Sequence, residues 1–412
     1  MRMKLVKVAA VVLVTVLLFS VPGVVGCGDD GGDGGKPEVI IGFLGDLTGP
    51  GAFAVKPTFV GMRDYFKMVG ETGAMPEAKV KFITYDSKGD RGRVQPGYKW
   101  LKGQGCMMIS SISGDEAAIL LDSLKADKIP DFCSGTSLDI FGTDWAYGSL
   151  PPPLATGQAI GHWIEENWDG TGVAKVGLVG LGPLRISREV RDAIEEWCSK
   201  AANMEFVTSQ MVPYGTTAWA AEIEHLKGCD YIVDSTIGSS MATFEMAIHA
   251  SGYQGQMIGF MESCMAFWDL ARDIVPPDQL DGTLAMDMYV DWHDDIPFAE
   301  ELIEYTDKYL SPEEAAEARR GVARIGGWAN GMIVTEGIRN AIADVGAENL
   351  SGQAIRDGLL AVDLDVEGWG NVWKVFGNVN SFMQTLRMME WNASGERWIA
   401  VSDWYTPPLC QG

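Results

Sequence analysis

The sequence predicts an α/β protein of two doubly wound parallel-sheet lobes joined by a three-crossover hinge. Three observations predict it. From Pro37 onward short apolar runs alternate with amphipathic segments, the pattern of βαβ units. That alternation is written twice, on either side of the proline segment Tyr147 to Pro153. The stretch from residue 28 to 412 is also too long for one ordinary core.

Arg2, Lys4 and Lys7 form a basic tip, Val8 to Val21 is apolar apart from Thr15 and Ser20, and Pro22-Gly23 breaks any helix. This order of charge, short apolar core and small residues is an export signal, and the core is too short for a comfortable membrane span. The end, Val24-Val25-Gly26-Cys27, resembles a bacterial lipoprotein signal. The resemblance implies a signal peptide over residues 1–26 and a lipid on Cys27. The Gly/Asp tract that follows completes a flexible tether over residues 27–37.

Glu38 to Leu44 is the first predicted strand, with a helix over Pro57 to Val69 after it. Strand Ala78–Tyr85, helix Gly92–Lys102, strand Cys106–Ile112, helix Asp115–Ala126 and strand Ile129–Cys133 complete the first series. The second series runs from helix Ala155–Trp168 through strands Val173–Val179, Phe206–Met211, Tyr231–Ser235 and Met257–Met261 with their intervening helices. A further strand, Thr283–Tyr289, leads to helices Pro297–Tyr309, Pro312–Val322, Gly331–Val345 and Ser351–Leu360. Trp369–Val375, Thr385–Asn392 and Arg397–Trp404 read as a closing antiparallel piece. Lobe 1 is expected over 38–150 plus 287–385 and lobe 2 over 151–286 plus 386–412, with crossovers near 150, 286 and 386.

The formal net charge of −24 argues against nucleic acid or anionic lipid as a partner, since both need a basic surface. No CxxC pair occurs and the four histidines are scattered, so no metal site is expected, and no other cofactor is implied. With Cys27 set aside, Cys106, Cys133, Cys198, Cys229, Cys264 and Cys410 are an even number in an oxidising compartment. Three bridges are expected, Cys106–Cys133, Cys198–Cys229 and Cys264–Cys410.

Ligands of open α/β sheets bind at the carboxyl ends of the strands. There the first lobe offers the loop with Thr48 and Phe53, then Ser113-Gly114-Asp115, then Ser134-Gly135-Thr136. Hydroxyls, open backbone amides and helix starts recur at three strand ends, a combination that suits a carboxylate. The second lobe offers Arg185, Gly238-Ser239 and Glu262, an acid placed to hold an ammonium group.

The order of these features, with a strand followed by Gly45-Asp46-Leu47-Thr48-Gly49-Pro50-Gly51-Ala52, resembles type I periplasmic binding proteins. It is most similar to the branched-chain amino-acid/amide-binding (Leu/Ile/Val-binding protein-like) group that serves ABC importers. The resemblance implies that the loops of Ser113-Gly114-Asp115 and Ser134-Gly135-Thr136 grip a ligand carboxylate, and that Glu262 holds its ammonium. It implies a non-enzymatic receptor, monomeric and lipid-anchored at the outer face of the cytoplasmic membrane or in the periplasm. Such a receptor closes on a small-molecule ligand (amino acid, amide or small carboxylate) and hands it to ABC permease subunits. Leu184-Arg185-Ile186 stands where the family usually has Tyr-Gly, and Arg185 suits a second carboxylate.

Two other classes fit parts of this pattern. A ligand-sensing module that partners a separate membrane signalling protein would share the fold. An exported α/β hydrolase would need a GxSxG elbow, which the sequence lacks.

Overall fold

In the computed structural model, residues 36–412 are described apart from 50, 136, 262–263, 371, 376–378 and 412. The export signal, Cys27, Thr136 and Glu262 thus lie outside the described residues.

β1 (Glu38–Gly45) has β2 (Lys79–Asp86) and β3 (Met108–Ser111) as parallel neighbours, and β4 (Asp131–Cys133) and β5 (Ala146–Gly148) extend the sheet. The order β2-β1-β3-β4-β5 is doubly wound, with its switch point at β1. A second sheet collects β6 (Ala174–Leu181), β7 (Met204–Val212), β8 (Tyr231–Ser235), β9 (Gln256–Phe260) and β10 (Leu284–Asp287) in parallel. A two-stranded pair, β11 (Leu364–Asp365) and β12 (Val372–Trp373), stands apart. β13 (Arg387–Asn392) and β14 (Arg397–Ala400) then close the second sheet in antiparallel fashion, giving β14-β13-β10-β9-β8-β6-β7. Central strands such as β8 are buried at every residue, which is why they read as continuous apolar runs.

α1 (Ala52–Thr72), α3 (Gly114–Asp127), α4 (Pro153–Asn167) and α5 (Arg185–Lys200) contribute to the cleft, and α2 (Val94–Gly103) connects β2 to β3. α6 (Ala220–Leu226), α7 (Ser239–Ala250) and the short α8 (Trp268–Arg272) and α9 (Pro277–Leu280) belong to the second sheet's connections. After β10 come α10 (Pro297–Tyr309), α11 (Pro312–Ala318), α12 (Ala323–Val345) and α13 (Gly352–Leu360). α12 returns to pack on α1 at Gly61 and Gly327, where a Cβ on Gly327 would stand 2.0 Å from the Thr58 carbonyl oxygen. No larger residue fits that crossing. Arg324, buried in it, is paired with Asp64 at 2.9 Å and donates to Thr306 at 2.9 Å. These partners offset the desolvation of a guanidinium held out of water.

The chain passes between the sheets after β5, after β10 and before β13. These passages are tied to one another. Ser381 Oγ donates to the Leu150 carbonyl at 2.6 Å and the Met383 amide to Ser149 O at 2.8 Å. Arg387 Nη2 reaches Asp294 at 2.6 Å.

Several element bounds differ from the sequence expectation for identifiable reasons. α1 begins five residues before Pro57, because that proline sits inside the helix rather than at its first position. α12 begins at Ala323 rather than Gly331, through a Gly326-Gly327 pair that tertiary packing requires. The closing β segment is shorter, two residues of β12 in place of Trp369–Val375.

The three expected disulfides are absent: Cys106, Cys133, Cys198, Cys229, Cys264 and Cys410 are all free and buried. Each thiol packs into its own surroundings rather than toward its expected partner. Cys106 fills the space over Gly42, Cys133 donates to the Tyr147 carbonyl at 3.3 Å, Cys229 lies over Gly177 and Cys264 over Gly259. Cys198 faces the main core, and Cys410 closes the C-terminal turn that rests on α4. Parity counts cysteines but does not orient them, and burial makes them behave as small apolar side chains.

Candidate ligand-binding site

The carboxyl ends of both sheets face one cleft of about 370 Å³. From the first sheet come Ile112 to Asp115 after β3, and Ser134, Gly135 and Ser137 after β4. From the second come Leu184 to Ile186 after β6, Tyr214 after β7, Ile237 after β8, Met261 after β9 and Tyr289 after β10. Both switch points thus open onto the same space, where doubly wound sheets place ligands.

The first-lobe wall is rigid for local reasons. Ser113 is the N-cap of α3, and its Oγ accepts the Glu116 amide at 3.3 Å. That leaves the Gly114 and Asp115 amides, which have no acceptor within the helix, at the cleft. Ser113 bridges Gly135 in parallel, so the two Ser/Gly loops are one surface. Ser134 is held from behind, its Oγ accepting from Asn330 Nδ2 at 2.7 Å. Ser137, on the same loop, is buried with its Oγ unpartnered. The Ile112 amide lies 3.5 Å from Glu116 Oε2, yet burial pushes that carboxyl up to about 7, which weakens its opposition to an anion at this wall.

The opposite wall is the start of α5. Arg185 Nε donates to Glu189 Oε1 at 2.5 Å, and its Nη1 pairs with Asp139, which stands in the other lobe's Leu138–Ile140 turn. The guanidinium therefore spans the gap between the lobes. Further out, the Phe53 ring of α1 meets Phe267 of the second lobe with centroids 5.0 Å apart and lies over Gly238. Both are contacts between the lobes, and the pair of Arg320 Nη2 with Asp273 at 2.7 Å is another. Apart from its hydroxyls and the Asp115, Arg185 and Glu189 charges, the cleft is apolar: Val55, Leu150, Pro153, Ile186 and Phe267 contribute.

Of the residues expected from the sequence, Ser113, Gly114, Asp115, Ser134, Gly135 and Arg185 line the cleft together. Phe53 is at its mouth and half exposed. Thr48 is exposed and donates to Asp86, bracing the loop after β1, while Gly238 and Ser239 stand beside the lining at the α7 start. Glu262 and Thr136 lie outside the described residues. The sequence reading missed Ser137 and Glu189. Ser137 had a visible signal in its place on the β4 loop. Glu189 had none, because nothing in a helical heptad says that its first turns face a cleft.

The sequence matches the model of the periplasmic binding protein family over residues 38–396. The chain belongs to that family. Among solved structures the fold is similar to a branched-chain amino acid ABC transporter protein from Thermus thermophilus with bound valine. That likeness has 18% identity, a TM-score of 0.78, and covers 92% of this chain and 98% of the other. A fatty acid ABC transporter substrate-binding protein from Thermomonospora curvata is 14% identical with a TM-score of 0.77, covering 92% and 96%. A solute-binding protein from R. palustris in complex with benzoate is 14% identical with a TM-score of 0.72, covering 90% and 97%. No protein of curated function matches the sequence. For this binding protein, the matched region spans every strand of both sheets except the edge strand β14, and every described residue of the cleft.

Proposed function

We propose that this periplasmic binding protein is the substrate receptor of an ABC importer and that it captures a small carboxylate with an apolar body. One observation carries the reading: two helix starts, those of α3 and α5, face each other across a cleft that is otherwise mostly apolar. A helix start with open amides and nearby hydroxyls favours an anion, and the apolar walls favour a hydrocarbon body. The similar structures point the same way, since valine, a fatty acid and benzoate each join a carboxylate to an apolar group. Residues from both lobes line the cleft, so the ligand stabilises the closed arrangement that a permease would read. Lobe boundaries near residues 150, 286 and 386, a monomeric state and a lipid tether at Cys27 complete the reading.

A thermal-shift panel on the purified protein, refolded to strip any bound ligand, tests this. L-Valine, L-phenylalanine, 3-methylbutanoate and benzoate are set against acetamide and putrescine. A ligand at a hundred times its dissociation constant adds about 2.7 kcal/mol to stability. Stabilisation by carboxylates alone is expected. Stabilisation by acetamide or putrescine without any carboxylate would overturn the reading.

A further inference from the structure

Ser134 lines the cleft, and everything about it is fixed except the direction of one proton. Its carbonyl accepts from Ser149 Oγ at 2.8 Å and from the Leu150 amide at 3.1 Å, which holds the backbone in place. Behind it stands Asn330 of α12, buried and outside the cleft lining. Asn330 Nδ2 donates to Ser134 Oγ at 2.7 Å in a hydrogen bond shut off from water. A serine hydroxyl has one proton and two lone pairs. An amide donor on one lone pair turns the proton away from itself, and no described residue accepts that proton. The direction left to it is the cleft. Asn330 Oδ1, in contrast, has no hydrogen-bond partner. A buried amide oxygen without a donor costs stability, so for packing alone an apolar side chain would suit this place better.

We propose that Asn330 is a positioning residue: by donating to Ser134 it makes that hydroxyl a fixed donor toward the cleft, so that the site takes a carboxylate in preference to the carboxamide of the same shape. The inference rests on the carboxylate reading above. A carboxylate only accepts, and it meets the Ser134 proton with either oxygen. A carboxamide brings an NH2 group in place of one oxygen. Turned to this wall, that group faces the open amides of the α3 start and the Ser134 proton, donors against donors. A polar group buried without its partner is what separates close analogues most sharply. A hydroxyl free to rotate would serve oxygen and NH2 alike, so the discrimination depends on the side chain behind it.

Calorimetric titration of the purified protein with two matched pairs tests the proposal: benzoate against benzamide, and L-valine against L-valinamide. The parent protein should bind at least one carboxylate about tenfold or more tightly than its amide, the range of a hydrogen bond to a charged group. Asn330→Ala should weaken that carboxylate by about 2–12-fold, the range of one neutral hydrogen bond, and narrow its margin over the amide. Ser134→Ala should weaken it as well. Adding Asn330→Ala to Ser134→Ala should then change the affinity by less than about twofold, because Asn330 acts through that hydroxyl alone. A packing role would cost the same in both backgrounds and leave the carboxylate-to-amide ratio where it was, which overturns the proposal. Unchanged or raised carboxylate affinity in Asn330→Ala overturns it too, as does a parent that binds the amide as tightly as the acid. Should Asn330→Ala not fold, Asn330→Leu, of similar shape and without the unpartnered oxygen, takes its place; failure of both to fold marks a structural residue and overturns the proposal. Binding of neither carboxylate by the parent overturns the carboxylate reading itself, a different failure.

Discussion

Gly114→Ala puts the first-lobe wall to a direct test. Gly114 opens α3, and a Cβ there would stand 2.6 Å from the Ser137 amide nitrogen and 2.7 Å from Ser137 Oγ. Real Cβ atoms essentially never approach within 3.0 Å, so the β4 loop must retreat by at least 0.4 Å (3.0 − 2.6). Two effects of opposite sign compete. Alanine favours the helix over glycine by up to about 1 kcal/mol, less at a first position. Overpacking against a fixed neighbour costs about 1–3 kcal/mol. The neighbour is backbone, so it cannot rotate away, and the clash wins. The displaced segment carries Ser134, Gly135 and Ser137, so ligand affinity should fall by about tenfold or more, at 1.4 kcal/mol per decade. Urea unfolding should show a loss of about 1–2 kcal/mol. Gly70→Ala is the control: nothing lies within 4 Å of its Cβ position, on an exposed stretch of α1. It should gain about 0.5–1 kcal/mol and bind normally. The two variants are read together by calorimetry and urea melts. Unchanged affinity in Gly114→Ala would refute the single-surface account of the Ser/Gly loops.

Phe53→Ala removes a ring pair made only when the lobes meet, worth about 0.5–1.5 kcal/mol. It should weaken ligand binding by about 2–12-fold with little change in urea stability, because Phe53 is half exposed; a loss of stability without a loss of affinity would contradict this. Asp131 is fully buried, and burial pushes it from 3.8 up to about 7 although Ser111 donates to it. Its folded form binds the proton more tightly than the unfolded chain. The stability it contributes is therefore whole below about pH 4 and fades as pH rises toward 7. Asp131→Asn should gain on the parent by up to about 1.4 kcal/mol per pH unit between pH 5 and 7 in urea melts, and a flat difference would count against it. The six thiols after Lys36 should all react with a thiol reagent in denaturant without reductant, and react slowly in the native protein. Burial drives Cys106 to about 11 and Cys198 and Cys410 to about 12, so little thiolate is present at neutral pH.

Much of this architecture is legible in the residues. Strands such as Glu38–Gly45 are visible because parallel strands covered on both faces must be apolar throughout. The Ser113 cap and the Ser134-Gly135 loop are visible because capping and strand-end position leave local signatures. What escapes is anything set by the approach of distant segments. Arg185 looks like a free ligand anchor until Asp139, 46 positions earlier, is found against it. Glu189 looks like one more helix surface acid. The cysteines look paired by number, but their directions come from packing over Gly42, Gly177 and Gly259. Pro57 and the Gly326-Gly327 pair mislead in the same way, since local propensity yields to the α1–α12 crossing.

The central claim is that a carboxylate ligand lies between the α3 and α5 starts. A crystal structure of the protein with whichever carboxylate stabilises it most tests that claim directly. The account predicts ligand density in the cleft, with the carboxylate on the Gly114 and Asp115 amides and the Ser113 and Ser134 hydroxyls. Its apolar body should lie against Ile186 and Leu150. Density in the outer groove beside α11, or a carboxylate turned to Arg185 with Asp139 displaced, would contradict it.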